Sequence, residues 1–291
     1  MNIRHLGTLF SFYLLASSSL SVAANSLEPA WETKQLQAPE SVIYDKRTNL
    51  LFVSNVNGAP NEKNGKGFIS TLALDGSVVQ LHWVDGLHAP KGLAIVGNIL
   101  YVADIDQLLE VDINSGKVIK RHLAPQAQFL NDVAADNQGN VYVSDMLTNT
   151  LYKLAAGDFS VWLQSEALEY PNGLHIQGDE LIVGSWGVMV DGFKTDVAGH
   201  LKAVSLRTKT IKSLGNGTSV GNLDGVEADG QGNFYVTDWF NGGLFKIDTQ
   251  GNAEKLLTLA QGSADLDVVL SEKLLLIPMM LDNTLVAFKI K

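Results

Sequence analysis

One stretch of the sequence occurs twice in nearly the same form. FLNDVAADNQGNVYVSD covers residues 129–145, and NLDGVEADGQGNFYVTD covers residues 222–238. Each copy has an Asn or Asp near its start, alternating apolar residues, a Gly-Asn pair, Tyr-Val and a final Asp. Apolar residues at every second position are typical of β-strands, and the Gly-Asn pair is typical of a tight turn. Each copy therefore predicts two antiparallel strands joined by a short turn.

The same template recurs six times along the chain, at intervals of about 40–50 residues. The first positions of the six blocks are Glu40, Lys91, Asn131, Asn172, Asp224 and Ala264. Repeats of this length with short alternating strands favour a β-propeller with about four strands per blade. We therefore predict an all-β fold, a six-bladed β-propeller. The last block holds only three strands, so we expect Trp31–Gln37 to supply the fourth strand of that blade and close the ring.

Two of the intervals are longer because of insertions at residues 55–67 and 186–199. Long loops on a compact scaffold often carry function, and surface decoration is equally common. The sequence leaves the roles of both insertions open.

The first 24 residues resemble a secretory signal peptide. Arg4 provides a positive start, Leu6–Leu15 is an apolar run, and small residues precede position 25. We expect cleavage to leave residues 25–291 as one propeller domain that is exported, either periplasmic or secreted. A retained anchor helix is the alternative. No later segment is apolar for long enough to predict a membrane span in the mature chain.

Composition bears on the kind of partner. The chain has no cysteine, so no disulfide supports an exported fold. Its formal net charge of −10 disfavours nucleic acid, because phosphate backbones are repelled, and slightly favours cations. We expect a small-molecule substrate and a bound cation as partners. Composition does not determine the oligomeric state.

The template carries two kinds of polar residue. The Asp that follows the second strand recurs as Asp104, Asp145 and Asp238, which predicts a residue that caps a turn in each blade. The first position varies between blocks instead. Because the innermost strand of each blade lines the channel of a propeller, the six first-position side chains should converge near its axis.

Two carboxylates (Glu40, Asp224) and two amides (Asn131, Asn172) at these positions would form a cluster of oxygen ligands, which suits a hard divalent cation. Ca²⁺ is the first candidate in an exported protein, with Mg²⁺, Mn²⁺ or Zn²⁺ as alternatives. The other interpretation is a polar network around channel waters, in which Lys91 pairs with Glu40 or Asp224.

These motifs resemble those of the senescence-marker-protein/gluconolactonase (regucalcin-like) family of six-bladed propellers. The resemblance rests on Glu40, on Asn172 in Pro-Asn-Gly, on Asp224 in Asp-Gly and on Asn131 in Asn-Asp, and it covers the chain after the leader. It implies one divalent metal held by Glu40, Asn172 and Asp224, with Asn131 beside both metal and substrate. It also implies that Asp224 is a catalytic base.

The sequence departs from that family at substrate positions. Glu40 is followed by Ser-Val where the family usually has Gly-Pro, and Phe129 occupies a position where an Arg commonly holds a sugar-acid lactone. The similar paraoxonase group has Pro-His-Gly where this chain has Pro-Lys91-Gly. We therefore expect different substrate contacts, with Lys91 replacing the missing cation.

The sequence as a whole predicts an exported, metal-dependent hydrolase of lactones or related esters, similar to gluconolactonases. Asp224 would be the catalytic residue, and Asn131 and Lys91 would bind the substrate. One alternative is a non-catalytic propeller that binds a ligand or a protein and holds a structural Ca²⁺. Another is a metal-dependent phosphotriesterase. Metal-dependent turnover of a panel of lactones would distinguish the first two.

Overall fold

The computed structural model of the protein describes residues 27–291. The expected signal peptide, residues 1–24, lies outside the described residues. Within the described range, 26 strands form six four-stranded antiparallel sheets and one separate two-stranded hairpin. The six sheets are the blades of a β-propeller, as the sequence predicted, and their first strands pack side by side around the axis.

The blades follow one another along the chain, each running from its inner strand outwards. The chain enters through β1 (Leu27–Thr33), which belongs to the last blade. The first blade consists of β2 (Pro39–Asp45), β3 (Leu50–Asn55), β4 (Gly67–Ala73) and β5 (Val78–Leu87). The second consists of β6 (Pro90–Val96), β7 (Ile99–Asp104), β8 (Gln107–Asp112) and β9 (Lys117–Leu123). The third consists of β10 (Leu130–Ala135), β11 (Val141–Asp145), β12 (Thr150–Ala155) and β13 (Asp158–Gln164).

The fourth blade contains the separate hairpin as an insertion. Its strands are β14 (Pro171–Gln177), β15 (Glu180–Ser185), β18 (Leu201–Ser205) and β19 (Ile211–Ser213), and the hairpin between them is β16 (Gly187–Asp191) and β17 (Lys194–Ala198). The fifth blade is β20 (Leu223–Ala228), β21 (Phe234–Asp238), β22 (Gly243–Ile247) and β23 (Ala253–Thr258). The sixth is β24 (Asp267–Val269), β25 (Leu274–Met279) and β26 (Thr284–Ile290), completed by β1. In the described range there are three short 3-10 helices, at Met146–Thr148, Glu166–Leu168 and Leu270–Glu272. None of the described residues forms a helix long and apolar enough to cross a membrane.

The ring is closed by an N-terminal strand, but not by the whole segment that the sequence indicated. The closing strand β1 is Leu27–Thr33 and pairs antiparallel with β26. Of the predicted segment 31–37, only the first three residues pair. Leu36 is instead buried in the apolar cluster between the first and last blades, and the amide of Gln37 donates to Asn55 Oδ1 at the entry to the first blade. Residues after Thr33 therefore leave the closing strand, and Leu36 packs between the blades before the first blade begins at Pro39.

The core lies between blades, because each sheet is apolar on both of its faces. One cluster, for example, packs Ala103 and Leu108 of the second blade against Val133 and Val143 of the third. Similar clusters occur between the other neighbouring blades. Burial on both faces explains why the second strand of each block reads as a nearly continuous apolar run.

Candidate functional site

Five of the six first-position side chains lie around one cavity at the start of the inner strands. Its volume is about 290 Å³, and its floor is formed by Glu40, Lys91, Asn131, Asn172 and Asp224. All five are buried. Ala264, the sixth first-position residue, is buried but does not line the cavity. The predicted convergence is therefore observed for the five polar residues, which we call the floor.

Each of these five residues lies at a β-bulge. In the third blade, Leu130 pairs with Asp145 and Val133 pairs with Val143, so one extra residue is accommodated on the inner strand. The inner strands β2, β6, β14 and β20 show the same shift at the same place. A bulge bends a strand and re-aims the side chains next to it. The repeated bulge accounts for the way in which floor residues from five blades reach one cavity.

The recurring Asp residues hold the chain as it enters the inner strand. Asp145 accepts hydrogen bonds from the backbone amides of Gln128 and Phe129, at 3.1 and 2.8 Å. Asp104 accepts from the amides of His88 and Ala89, and Asp238 accepts from that of Asn222. The predicted capping role is confirmed. The capped turns lie immediately before Lys91, Asn131 and Asp224, so they also fix where these three floor residues begin.

In the third and fifth blades, a hydroxyl residue precedes the recurring Asp and connects its blade to the next. Ser144 Oγ accepts from the amide of Asp132 at 2.9 Å and donates to the carbonyl of Asn172 at 2.8 Å. Thr237 makes the equivalent pair of bonds to Gly225 and Ala264. These hydroxyls satisfy the amide freed by the bulge and fix the spacing of neighbouring floor residues. Sequence reasoning missed this role because the acceptor lies in the following blade.

The second residue of each block determines how closely neighbouring inner strands approach. A Cβ built on Gly173 would lie 1.8 Å from the carbonyl oxygen of Asp224, so the glycine of the Pro-Asn-Gly motif is required by the neighbouring backbone. Where the second residue is larger, its side chain bonds to the neighbouring blade. Ser41 Oγ donates to Asp265 Oδ2 at 2.6 Å, and Asp132 accepts from the amide of Leu174 at 2.6 Å.

The floor leaves two buried oxygen atoms without a hydrogen-bond partner. Asn131 Nδ2 donates to Asn172 Oδ1 at 2.5 Å, and the Asn172 side chain is also bonded to Asp224. Glu40 Oε2 and Asn131 Oδ1 are fully buried, and no group among the described residues bonds to either. An unpartnered buried polar atom costs about 1–3 kcal/mol of folding free energy. Both atoms are acceptors, so a bound cation or a donor from a ligand would remove that cost.

Negative charge is concentrated at the floor. Burial, followed by the nearby charges of Asp224 and Asp265, raises the pKa of Glu40 well above its usual value, while Lys91 opposes the shift. Burial likewise raises the pKa of Asp224 from 3.8 to about 7, although its hydrogen bond with Asn172 lowers it. These shifts mean that the ionised carboxylates are poorly compensated by the protein itself. A cation placed between them would favour the ionised forms.

Lys91 does not pair with a carboxylate, contrary to one of the two expected arrangements. Its Nζ donates to the carbonyl of Ala89 at 3.0 Å and lies 4.4 Å from the centroid of the Phe129 ring. Within residues 27–291 it forms no salt bridge. Burial lowers the pKa of Lys91 to about 8, and the charges of Glu40 and Asp104 oppose that shift. Lys91 is therefore a buried cation that lines the cavity and makes one hydrogen bond to the protein.

The donor set of the floor fits a hard divalent cation. Glu40 and Asp224 provide carboxylate oxygens, Asn131 and Asn172 provide amide oxygens, and two of these oxygens lack partners. Such oxygen ligands are those that Ca²⁺ prefers. Among the described residues, no three Asp, Glu, His or Cys side chains are grouped closely enough to hold a metal. An ion held here would therefore depend on the amide oxygens as well as the carboxylates.

Above the floor, the wall of the cavity is apolar, which sequence reasoning missed. Met146, Trp186, Trp239 and Met280 line it, and each directly follows the second strand of its blade. The signal was present in the repeat, because the position after the second strand is apolar in all six blocks. Those residues are Val56, Ile105, Met146, Trp186, Trp239 and Met280.

The insertion of the fourth blade completes this wall. Phe193, in the turn between β16 and β17, lies with its ring centroid 5.9 Å from that of Phe129 and 6.1 Å from that of Trp186. Trp186 Nε1 donates to the carbonyl of Phe193 at 2.8 Å. Asn222 Nδ2 donates to the carbonyl of Trp186 and to Thr195 Oγ1. Of the two insertions whose roles the sequence left open, the hairpin is thus tied over the cavity, while the other contributes Pro60 to the cavity lining.

Comparison with known proteins gave one family match and a similar solved structure. A family model described as the SMP-30/gluconolactonase/LRE-like region matches residues 38–262. No significant match was found among curated proteins. A gluconolactonase from Xanthomonas campestris superposes with a TM-score of 0.69 over 91% of this chain and 89% of that chain, at 14% sequence identity. At this identity the structural similarity concerns the fold.

Proposed function

Because this chain belongs to the SMP-30/gluconolactonase/LRE-like family, we propose that it hydrolyses lactones or related esters with the help of a divalent cation bound at the channel floor. The observation that carries the proposal is the pair of unpartnered buried oxygens, Glu40 Oε2 and Asn131 Oδ1, at the bottom of a ligand-sized cavity. A structural polar network would be expected to satisfy its own buried atoms. The unpartnered atoms therefore favour a site that binds something.

Glu40, Asn172 and Asp224 would hold the cation, with Asn131 at or near it. The raised pKa values of Glu40 and Asp224 support this assignment, because the floor collects negative charge that the protein alone leaves poorly compensated. Ca²⁺ is the proposed ion, on the grounds of the oxygen donors and the expected export of the chain. When bound, such an ion supplies Lewis-acid polarisation of a carbonyl oxygen.

The chain's own groups would divide the remaining tasks. Asn131 would orient the substrate carbonyl through its Nδ2, which also donates to Asn172, while its Oδ1, unpartnered among the described residues, would face the cation. Asp224 would accept the proton of the attacking water, because a bound cation would keep its carboxylate ionised at the working pH. Lys91, which lines the cavity, would place a positive charge near the oxygen that becomes negative as the carbonyl is attacked.

A lactone panel would test the proposal. Purified protein is assayed with small lactones of different ring size by following acid release, with added Ca²⁺ and with EDTA. We expect hydrolysis with Ca²⁺, its loss with EDTA and its loss in Asp224→Ala. Asp158→Ala removes an exposed carboxylate at the start of β13 and should retain activity.

The alternative function, a binding propeller with a structural cation, makes a different prediction. It predicts a cation-dependent melting temperature with no hydrolysis of any lactone or ester in the panel. That outcome would contradict the proposed enzymatic function while leaving the cation site in place.

A further inference from the structure

We propose that the site takes lactones or esters that carry an alkyl or aryl substituent, in preference to polyhydroxylated sugar lactones. This inference rests on the proposed hydrolytic function and concerns the chemistry of the part of the substrate that does not react. It is drawn from the cavity wall, whose residues transfer no proton and bind no cation in the proposed chemistry.

The wall offers apolar surface on several sides. Phe129, Met146, Trp186, Trp239 and Phe240 all line the cavity above the polar floor. Trp186 is the centre of the group, because its ring lies 6.0 Å from that of Trp239 and is hydrogen-bonded through Nε1 to the hairpin. Apolar surface of this kind favours ligands that bury CH groups, at about 25 cal/mol per Å² removed from water.

Phe193 is held in place although its ring meets solvent. The residue is 39% exposed, and its ring packs against Phe129 and Trp186 at the edge of the cavity. The backbone of the hairpin is bonded to Trp186, and Asn222 bonds to Trp186 and Thr195 from the fifth blade. The ring extends the contiguous apolar surface of the wall, and apolar surface that lines a groove marks ligand-binding sites.

The wall has almost no partners for hydroxyl groups. Among the described residues that line the cavity outside the floor, the polar groups are the side chain of Gln261, which is exposed, and the indole N–H groups of Trp186 and Trp239, of which that of Trp186 is bonded to the hairpin. A sugar lactone carries a hydroxyl on most ring carbons, and each hydroxyl buried without a partner costs roughly 1–3 kcal/mol on binding scales derived from proteins. An alkyl or aryl group has no such requirement. The composition of the wall therefore discriminates against polyhydroxylated rings.

The size of the cavity limits the substituent. A volume of about 290 Å³ lies just below the usual range of ligand pockets, roughly 300–1,000 Å³. It suits a lactone ring with a short alkyl chain or one phenyl group.

The test compares six-membered lactones that share the reacting ring. With Ca²⁺ present, kcat/KM is measured for a lactone bearing a pentyl chain, for one bearing a phenyl group and for glucono-δ-lactone. We expect both apolar substrates to exceed glucono-δ-lactone by about tenfold or more, the discrimination that a hydrophobic pocket gives for a few carbon atoms.

Variants identify the wall as the cause. Phe193→Ala and Trp239→Ala should each reduce kcat/KM for the pentyl lactone by about three- to tenfold, mainly through KM, because apolar contact is lost. The matched control is Val190→Ala, an apolar residue of the same hairpin that is 55% exposed and does not line the cavity. It should behave as wild type. Equal effects of Phe193→Ala and Val190→Ala would overturn the inference, and so would hydrolysis of glucono-δ-lactone at least as efficient as that of the pentyl lactone.

A binding arm separates this inference from the proposed function. Calorimetry compares the pentyl-substituted six-membered lactam, which resists hydrolysis, with the polyhydroxylated lactam of the same ring. Tighter binding of the pentyl lactam, lost in Phe193→Ala, supports the inference even if no lactone is hydrolysed, in which case the hydrolase proposal alone fails. Equal or weaker binding of the pentyl lactam contradicts the inference whether or not the protein is a hydrolase.

Discussion

The Nζ of Lys91 lies 4.4 Å from the centroid of the Phe129 ring, so a cation from the second blade packs on an aromatic side chain from the third. The contact holds the lysine at the cavity, where, among residues 27–291, it has no carboxylate partner and its one hydrogen bond goes to the carbonyl of Ala89. Cation–π contacts contribute about 0.5–2 kcal/mol, the larger values applying where the cation is desolvated, as here. The Phe129 ring thus stabilises the charge of Lys91, whereas an arginine at position 129 would repel that charge.

Lys91→Met tests whether this charge takes part in hydrolysis. If the ammonium stabilises the developing oxyanion, kcat should fall by about 10²–10³, the usual cost of one oxyanion donor. Metal affinity should be unchanged or higher, because a nearby positive charge is removed. Lys153→Met is the control, since it also removes a lysine stacked on an aromatic ring, that of Tyr142, in the outer part of the third blade. Normal turnover in Lys91→Met would end the catalytic role of this residue.

The calcium dependence of stability tests the cation site. Because a ligand that binds only the folded state stabilises it, Ca²⁺ at about 100 times its Kd should add about 2.7 kcal/mol to the free energy of unfolding. For a domain of this size we expect a rise of about 5–10 °C in the melting temperature over EDTA-treated protein. Asp224→Ala should abolish the rise, and Asp158→Ala should keep it. A full calcium response in Asp224→Ala would rule out the proposed ligand set.

The pH dependence of the metal-free protein follows from the raised pKa of Asp224. The carboxyl titrates at about 7 when folded and near 3.8 when unfolded, so between these values the folded state binds more protons. The free energy of unfolding should therefore be highest below pH about 4 as far as this group is concerned, and should fall by the order of 2–4 kcal/mol as the pH rises to about 7. Urea denaturation in EDTA should show a shallower fall for Asp224→Asn. An identical pH profile in the variant would contradict the proposed titration.

The lysine should limit activity at high pH. Burial lowers the pKa of Lys91 to about 8, so its ammonium is lost as the pH rises through that value. In saturating Ca²⁺ we expect kcat/KM to decline with a midpoint no higher than about 8, because a bound cation would lower the pKa further. A profile that stays level up to pH about 10, where an ordinary lysine is still charged, would contradict a role for the ammonium.

Asn222→Ala should loosen the hairpin over the cavity. The side chain donates to the carbonyl of Trp186 at 2.8 Å and to Thr195 Oγ1 at 3.0 Å, and both bonds are lost in the variant. Trypsin should then cleave faster after Lys194, an exposed residue at the start of β17. Asn216→Ala, in an exposed loop, should leave the cleavage rate unchanged. Equal cleavage of the two variants would show that the Asn222 bonds do not restrain the hairpin.

Much of the fold follows from periodicity that is local in the sequence. Alternating apolar residues on either side of Gly139-Asn140 and of Gly232-Asn233 predict paired strands, and six such blocks predict six blades. The closing strand was misplaced by four residues because its partner, β26, lies at the other end of the chain. Which residues of the N-terminal segment pair depends on the burial of Leu36 between blades, and no local pattern records that.

The sequence likewise predicted some residues of the candidate site and not the contacts of others. Glu40, Asn131, Asn172 and Asp224 were identifiable because they occupy one template position, and a closed ring must bring equivalent positions together around its axis. The contact between Lys91 and Phe129 was not identifiable, since it depends on the distance between two neighbouring blades.

The sequence by itself determined the six-fold repeat, the polar first position of five blocks and the apolar position after each second strand. Tertiary structure alone decided that the bulged inner strands aim the floor residues into one cavity and that Glu40 Oε2 and Asn131 Oδ1 find no partner in the described part of the chain. It also decided that Phe193 of the hairpin completes the wall. The physical reason is that strand pairing is specified by near neighbours along the chain, whereas desolvation, hydrogen-bond satisfaction and the shape of a cavity depend on groups that only the closed ring brings together.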